Sequence, residues 1–257
     1  MQHAVPVEDR EMQKAAARAI DWSEQGLVPD SVIRHGIRRL IRKRLDGLRS
    51  DDCETLAEQK ADFIQSMGQS AIAPMSSRTN EQHYEVPTGF FLKVLGAQKK
   101  YSCCYWNADT GDLDRAEIDA LQMTCERAGL RDGMAILELG CGWGSLTIWM
   151  ARHYPNSQIT AISNSASQRE HIAQQAQQLG LDNLVVNTCD MNDFVSRDTY
   201  DRIVSVEMFE HMRNYQALFG HISNWLKPDG RFFMHIFCHR DTPYAFEEKN
   251  ETDWMSR

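Results

Sequence analysis

Two carboxylates and an imidazole stand together in Glu207-Met-Phe-Glu-His211. If a helix starts there, Glu207 and Glu210 are i,i+3 and Glu207 and His211 are i,i+4, so all three share one face. Such a group can attract a cation and move a proton. Acidic residues are also favoured at a helix N-terminus by the dipole, which covers the two glutamates but not His211. A second chemical stretch is Ala135-Ile-Leu-Glu-Leu-Gly-Cys-Gly-Trp-Gly144. Its apolar run Ile136 to Leu139 reads as a buried parallel strand, and it enters Gly140, Gly142 and Gly144 before a helical pattern from Ser145. Strand, glycine turn and helix make a nucleotide site: no Cβ blocks close approach, and the helix N-terminus offers free N–H groups. The Gly-Lys-Ser/Thr of a P-loop is absent, and G-x-G-x-G is not the dinucleotide fingerprint G-x-G-x-x-G.

The elements that must position these residues follow from the pattern around them. After the glycine turn, strands are predicted at Ser157–Ser163, Leu184–Thr188, Tyr200–Val206 and Arg231–Phe237. Helices are predicted at Ala166–Leu179, Met208–Met212 and Tyr215–Leu226, and Pro228-Asp-Gly230 reads as a turn. Strand–helix alternation with right-handed crossovers predicts an α/β doubly wound, mostly parallel sheet. Ligands of such sheets lie at the carboxyl ends of the strands. That places Ser163-Asn164, with Gln168 opening the next helix, where a ribose partner is needed. No acid stands there, so Asn164 or Gln168 would have to serve. Asp190 could accept from an adenine amino group while Met191 covers the ring face, or Asp190 could cap its own turn. His235 lies among Phe233, Met234, Ile236 and Phe237, and is either a core histidine or a group at the site mouth.

Upstream, helices are expected over 9–25, at Val32–Leu48 (capped by Asp30 or Ser31) and over 54–70, with a loop over Ala73–Asn80. Pro87 and Thr88 are expected to start a short helix burying Phe90, Phe91, Val94 and Leu95. Asp114 should begin a helix to about Ala128. The Val32–Leu48 helix carries Ile33, Ile37, Leu40, Ile41, Leu45 and Leu48 on one side, and on the other Arg34, Arg38, Arg39, Arg42, Lys43 and Arg44, followed by Arg49. It is either a basic amphipathic helix for an anionic membrane surface or a docked helix with solvated arginines. The narrow apolar stripe favours docking. The 257 residues are 42% hydrophobic and 25% charged, with a net charge of −8. This balance and the lack of aromatic-basic motifs point away from nucleic acid. No apolar run is long enough to span a bilayer, and Met1-Gln-His-Ala-Val-Pro-Val has no signal-peptide core. Seven cysteines, without a C-x-x-C pair, suggest free thiols in a cytoplasmic setting, and no metal site.

Several motifs then agree. Preceded by Glu138, the turn resembles the first motif of S-adenosylmethionine (SAM)-dependent methyltransferases. His83-Tyr-Glu-Val-Pro, Tyr101-Ser-Cys-Cys-Tyr-Trp106, Glu138-Leu-Gly-Cys-Gly-Trp-Gly144, Gln168-Arg169, Glu207-Met-Phe-Glu-His-Met212 and His235-Ile-Phe-Cys-His239 resemble the cyclopropane-fatty-acid synthase superfamily. Within it the chain resembles the coclaurine N-methyltransferase-like enzymes, from about residue 25 onward. The resemblance implies a Rossmann-like class I methyltransferase core over 81–257 (81–134 cap and substrate side, 135–257 sheet) behind a helical extension over 1–80. It implies SAM as co-substrate, with Tyr101 and Ser102 closing over the methionine moiety. Glu138, Gly140 and Gly142 would form the turn, Ser163, Asn164 and Gln168 the ribose side, and Asp190 and Met191 the adenine side. In the N-methyltransferases, Glu207, Glu210 and His211 match residues that bind and deprotonate a small-molecule amine. In the cyclopropane synthases, Cys103, Glu210 and His235 match residues that hold bicarbonate as base, and a membrane surface would then be a partner. An ammonium substrate gains from two carboxylates, whereas a lipid alkene does not, which favours the amine. The resemblance also implies seven strands where five are legible, so the last two are expected to be missing, leaving an open edge suited to homodimerisation.

Overall fold

The computed structural model describes residues 18–48, 52–74 and 88–244. Most of the helix expected over 9–25, most of the 73–80 loop, His83-Tyr-Glu-Val-Pro87 and the final 13 residues lie outside them. The chain divides into two compact units, 1–63 with 239–257, and Ile64–Cys238. Among the described residues no helix is long and apolar enough to cross a membrane.

In the first unit, α1 spans Asp30–Leu48. It starts directly after the Gly26–Pro29 break, where the Pro29 carbonyl accepts from Val32 and Ile33 N–H. Its apolar side chains Val32, Ile37, Leu40, Ile41 and Leu45 are all exposed. Arg44 lies over the Tyr244 ring at 4.6 Å, and the Thr242 hydroxyl donates to the Leu48 carbonyl. Helix α2, Cys53–Gly68, of which the residues from Ile64 on are counted with the second unit, is started by Asp52, whose carboxylate accepts from the Glu54 and Thr55 N–H groups.

The second unit holds the sheet. Helix α3 is Thr88–Val94; among its described side chains Phe91 is buried, against the rings of Tyr101 and Trp143, whereas Phe90 and Val94 are exposed, contrary to the amphipathic expectation. Helix α4, Leu113–Ala128, starts one residue ahead of the expected Asp114, because Asp112 caps it: its carboxylate accepts from Arg115 N–H. Then follow β1 (Ala135–Leu139), α5 (Ser145–His153), β2 (Gln158–Ser163), α6 (Ala166–Leu179), β3 (Leu184–Thr188), β4 (Tyr200–Val206), a 3₁₀ turn (Phe209–His211), α7 (Tyr215–Trp225) and β5 (Leu226–His235). All pairings are parallel, in the order β3-β2-β1-β4-β5. This is the doubly wound parallel sheet that the alternation predicts, and its order matches the class I core that the resemblance implies.

Strand β1 is central and apolar on both faces, as a doubly covered strand must be. Ile136 packs with Leu121, Leu146, Met150 and Val204 on one side, and Leu137 and Leu139 pack with Ile203, Phe209, Leu218 and Trp225 on the other. Strand β5 departs from expectation. Pro228-Asp-Gly230 does not separate it from α7 but lies inside it as a bulge: Tyr200 pairs with Leu226, then Arg202 pairs with Arg231. Pro228 has no N–H for the ladder, so the strand loops out there and resumes. Chain direction reverses its lateral progress between β1 and β4, and the crevice at that switch point is lined by Gly140, Gly142, Ser163, Asn164, Gln168, Met191, Glu207 and His211 from the strand ends.

Candidate functional site

The glycine turn leaves β1 against β2, with Gly140 and Cys141 N–H both donating to the Ile162 carbonyl at 3.0 and 2.9 Å. Gly144 has φ +82°, and a Cβ there would stand 2.4 Å from Ile172 Cγ1, so its glycine serves helix–helix packing. Gly142 has φ +52°, and a Cβ there would meet nothing within 4 Å. Its open side faces a cleft of about 560 Å³, counting the mouth, bounded also by Gly140, Ile162, Ser163, Asn164 and Gln168. Cys189, Met191, Glu207, Met208 and His211 close the other wall.

The β2 end is built around Gln168. Ser165 caps α6, and Ser163 Oγ donates to Gln168 Oε1 at 2.7 Å. Gln168 Nε2 is then a buried donor without a protein partner at the cleft wall. A donor buried in this way costs free energy unless a ligand oxygen accepts from it. At the β3 end, Met191 is buried and lines the cleft. Asp190 is not in the lining. Its Oδ1 accepts from Asn192 N–H and Asn192 Nδ2, both at 2.8 Å, so its carboxylate closes its own turn. Glu138 also stands outside the lining. It is buried under the turn, where Thr147 Oγ1 donates to it at 2.5 Å, and burial pushes its carboxyl up to about 7. Glu138 thus ties β1 to α5.

The carboxylates after β4 do not share a helix face. Glu207 lies ahead of the 3₁₀ turn with φ +50°, a left-handed conformation that is rare for a residue with a side chain. Its N–H donates to the His235 carbonyl at 2.9 Å, and Oε1 accepts from Cys103 N–H at 2.9 Å. This strained corner turns the side chain to the cleft beside His211. Glu210 points elsewhere: Oε1 accepts from Phe237 N–H at 2.7 Å, Oε2 is buried without a protein partner, and burial raises its carboxyl. The cluster that does form joins Cys103, Glu207 and His235, with Cys103 Sγ 3.9 Å from His235 Nε2. Burial, reinforced by Glu207, pushes the Cys103 thiol up to about 11, so it is no thiolate nucleophile at neutral pH.

Two residues absent from the sequence reading hold this corner together. Glu117, fully buried on α4, accepts from Gly96, Gln98 and Lys100 N–H at 3.0, 2.7 and 3.1 Å. Lys100, also buried, donates from Nζ to Ser102 Oγ and to the Cys103 carbonyl at 2.5 and 2.8 Å. Burial lowers the Lys100 ammonium from its ordinary range. Their signal in the sequence is weak: a lysine beside a tyrosine, and a glutamate 17 residues later. Tyr101, half-exposed, packs edge-on against Phe91, which tilts against Trp143 of the glycine turn.

A doubly wound sheet, a glycine turn after β1 and a cleft at the switch point define the class I SAM-dependent methyltransferase fold. The chain belongs to the mycolic acid cyclopropane synthetase family, whose sequence profile matches residues 74–257. It is similar to (S)-coclaurine N-methyltransferase of Thalictrum flavum subsp. glaucum, 41% identical over 91% of this chain and 64% of that protein. The structure of coclaurine N-methyltransferase bound to N-methylheliamine and SAH superposes with a TM-score of 0.89 at 37% identity, covering 94% of this chain and 70% of that one. Mycolic acid cyclopropane synthase CmaA1, complexed with SAH and CTAB, superposes with a TM-score of 0.57 at 27% identity over 63% of this chain and 57% of that one. The chain spans about two thirds of the length of the curated relatives it matches, 64% and 66% for two of them.

Proposed function

We propose that this chain carries the catalytic core of a SAM-dependent N-methyltransferase for a small-molecule amine. The observation that carries this is the Glu207 carboxylate, held by Cys103 N–H in the same cleft as the glycine turn and His211. The cleft suits the co-substrate: Gly142 leaves backbone open to it, Gln168 Nε2 offers a donor to a ribose hydroxyl, and Met191 gives an apolar wall for a base. Gly140, Ser163 and Asn164 complete that side. Tyr101 and Ser102 are assigned to the methionine end, Asp190 to the adenine end and Glu138 to the turn's support. Bound SAM supplies an electrophilic methyl group on a sulfonium.

The chain's own residues select and deprotonate the acceptor. Glu207 attracts an ammonium and takes its proton, so that the nitrogen presents a lone pair. His211, in the same cleft, is the second proton acceptor. Burial, reinforced by the nearby Glu207 charge, favours the neutral form of Glu210, which leaves Glu207 as the anionic group facing the amine. Orientation by these groups aligns donor with acceptor, which supplies much of the rate. The seven cysteines are all free thiols, which supports a reducing, cytoplasmic setting.

Cys103 and His235 do come together, as a bicarbonate-using lipid enzyme would require. Here, however, Glu207 already accepts the Cys103 N–H and would repel an external anion. The test is transfer of a labelled SAM methyl group to a panel of cyclic secondary and tertiary amines, beside phospholipid vesicles. Label in an amine and none in lipid is expected. Label in acyl chains, with unreacted amines, overturns the proposal in favour of a lipid-modifying enzyme at a membrane surface.

A further inference from the structure

We propose that Cys103, Glu207 and His235 form a binding site for a thiophilic divalent cation, with zinc the best match, whose occupancy blocks the amine side of the cleft. Among the described residues, these three each bring one ligand atom to within 4.8 Å of the other two. They come from three separate places: the 100–106 loop, the end of β4 and the end of β5. Backbone bonds join all three. Cys103 N–H donates to Glu207 Oε1, and Glu207 N–H donates to the His235 carbonyl, both at 2.9 Å. Lys100 grips the Cys103 carbonyl from behind at 2.8 Å. The trio is therefore prepared before any ion arrives, and little ordering entropy opposes binding.

The spacing fits one ion. With typical Zn–S and Zn–N lengths of about 2.3 and 2.05 Å, the 3.9 Å from Sγ to Nε2 is spanned at an S–Zn–N angle of about 127°. Closing by about 0.3 Å makes it tetrahedral. Thiolate, imidazole and carboxylate are the ligand types zinc takes, while magnesium and calcium require oxygen donors. The charges also close: one thiolate and one carboxylate neutralise a divalent ion. As the S–metal bond forms, the thiol proton leaves to solvent, and the fourth position remains for water. Cys103 is exposed and the other two are half-buried, so the ion has a path in.

The consequence for turnover rests on the function proposed above. A cation on Glu207 removes the carboxylate's attraction for an ammonium and occupies its proton-accepting oxygen. Zinc should then compete with the amine and not with SAM.

The test uses the reduced, metal-free chain titrated with Co²⁺ alone, followed by displacement with Zn²⁺. One equivalent with a sulfur-to-cobalt charge-transfer band is expected. Cys103→Ser should abolish the band, and His235→Ala should weaken Co²⁺ binding at least about 10-fold. Cys53→Ser/Cys238→Ser, which removes the two other exposed thiols, should keep it. Mg²⁺ should not displace Co²⁺. Retained SAH binding certifies that each variant is folded. No band in the wild type, a band that survives Cys103→Ser, or equal affinity in wild type and His235→Ala overturns the site. A band together with no methylation of any amine leaves the cation site standing and removes the function proposed above.

Discussion

Glu207 occupies a backbone conformation that its own residue type disfavours by roughly 1–2 kcal/mol. The neighbours hold it there: the His235 carbonyl takes its N–H, and Cys103 N–H takes its carboxylate. Strain at a position that carries the proposed chemistry is consistent with a geometry kept for function. Two outcomes follow. Glu207→Gln should lower kcat/KM for the amine by about 100-fold or more, measured at saturating SAM, because the proton acceptor is lost while the shape remains. In urea unfolding, Glu207→Gly should be more stable than Glu207→Ala by about 1 kcal/mol, the reverse of the usual order, since only glycine is relaxed at positive φ. An alanine variant as stable as the glycine one would remove the strain from the account.

The junction of β1 with α5 shows how one element serves two purposes. Gly144 and Gly142 both have positive φ, but their surroundings differ. Gly144→Ala drives a Cβ into Ile172 and should prevent stable folding, read as loss of a cooperative melt. Gly142→Ala meets no protein atom, so it should cost only about 1–2 kcal/mol of backbone strain. Its methyl enters the cleft and should weaken SAM binding about 10-fold or more by calorimetry. Glu138 makes the same junction pH-sensitive. Its folded pKa, about 7, lies above its unfolded value near 4.5. The native state then holds the extra proton between those values, so stability is highest below pH 4.5, falls as pH rises, and levels off above 7. The loss is on the order of 3 kcal/mol. Glu138→Gln keeps an acceptor for Thr147 and should flatten this dependence, giving a more stable protein at pH 8 in chemical denaturation. If wild type and variant show the same pH profile, burial of Glu138 is not the source.

At the scale of the molecule, the cleft is walled by the ends of four strands and the helices that follow them, so a ligand there bridges elements distant in the chain. Binding only to the native state stabilises by mass action. SAH at about 100 times its Kd should add roughly 2.7 kcal/mol, a rise of about 5–10 °C in melting temperature for a unit of this size. An unchanged melt at that concentration would show that the cleft does not take the co-substrate. The two compact units make the readout more specific. The rise should belong to the transition of Ile64–Cys238, followed through the buried Trp143 and Trp225.

The sequence by itself determined the sheet and the place of its ligand. Strands β3 and β4 and helix α6 fall at the predicted residues. Each is marked locally, by an apolar run, by the Ser165 cap, or by Gly180 at the helix end. Local signals also misled: Pro228-Asp-Gly230 has turn chemistry and still sits within a strand, because β4 continues to pair on both sides of the bulge. Only tertiary structure decided which chemical residues meet. Glu207 and Glu210 are three apart yet separate, because the chain turns left-handed at one and the Phe237 N–H draws the other aside. Cys103, Glu207 and His235 meet although more than 100 residues separate the first from the others, since parallel pairing sets β5 beside β4 and Glu117 pins the loop that delivers Cys103. Periodicity and caps are written in neighbouring residues. Convergence of side chains depends on register, backbone strain and buried hydrogen bonds, which arise only when distant segments pack.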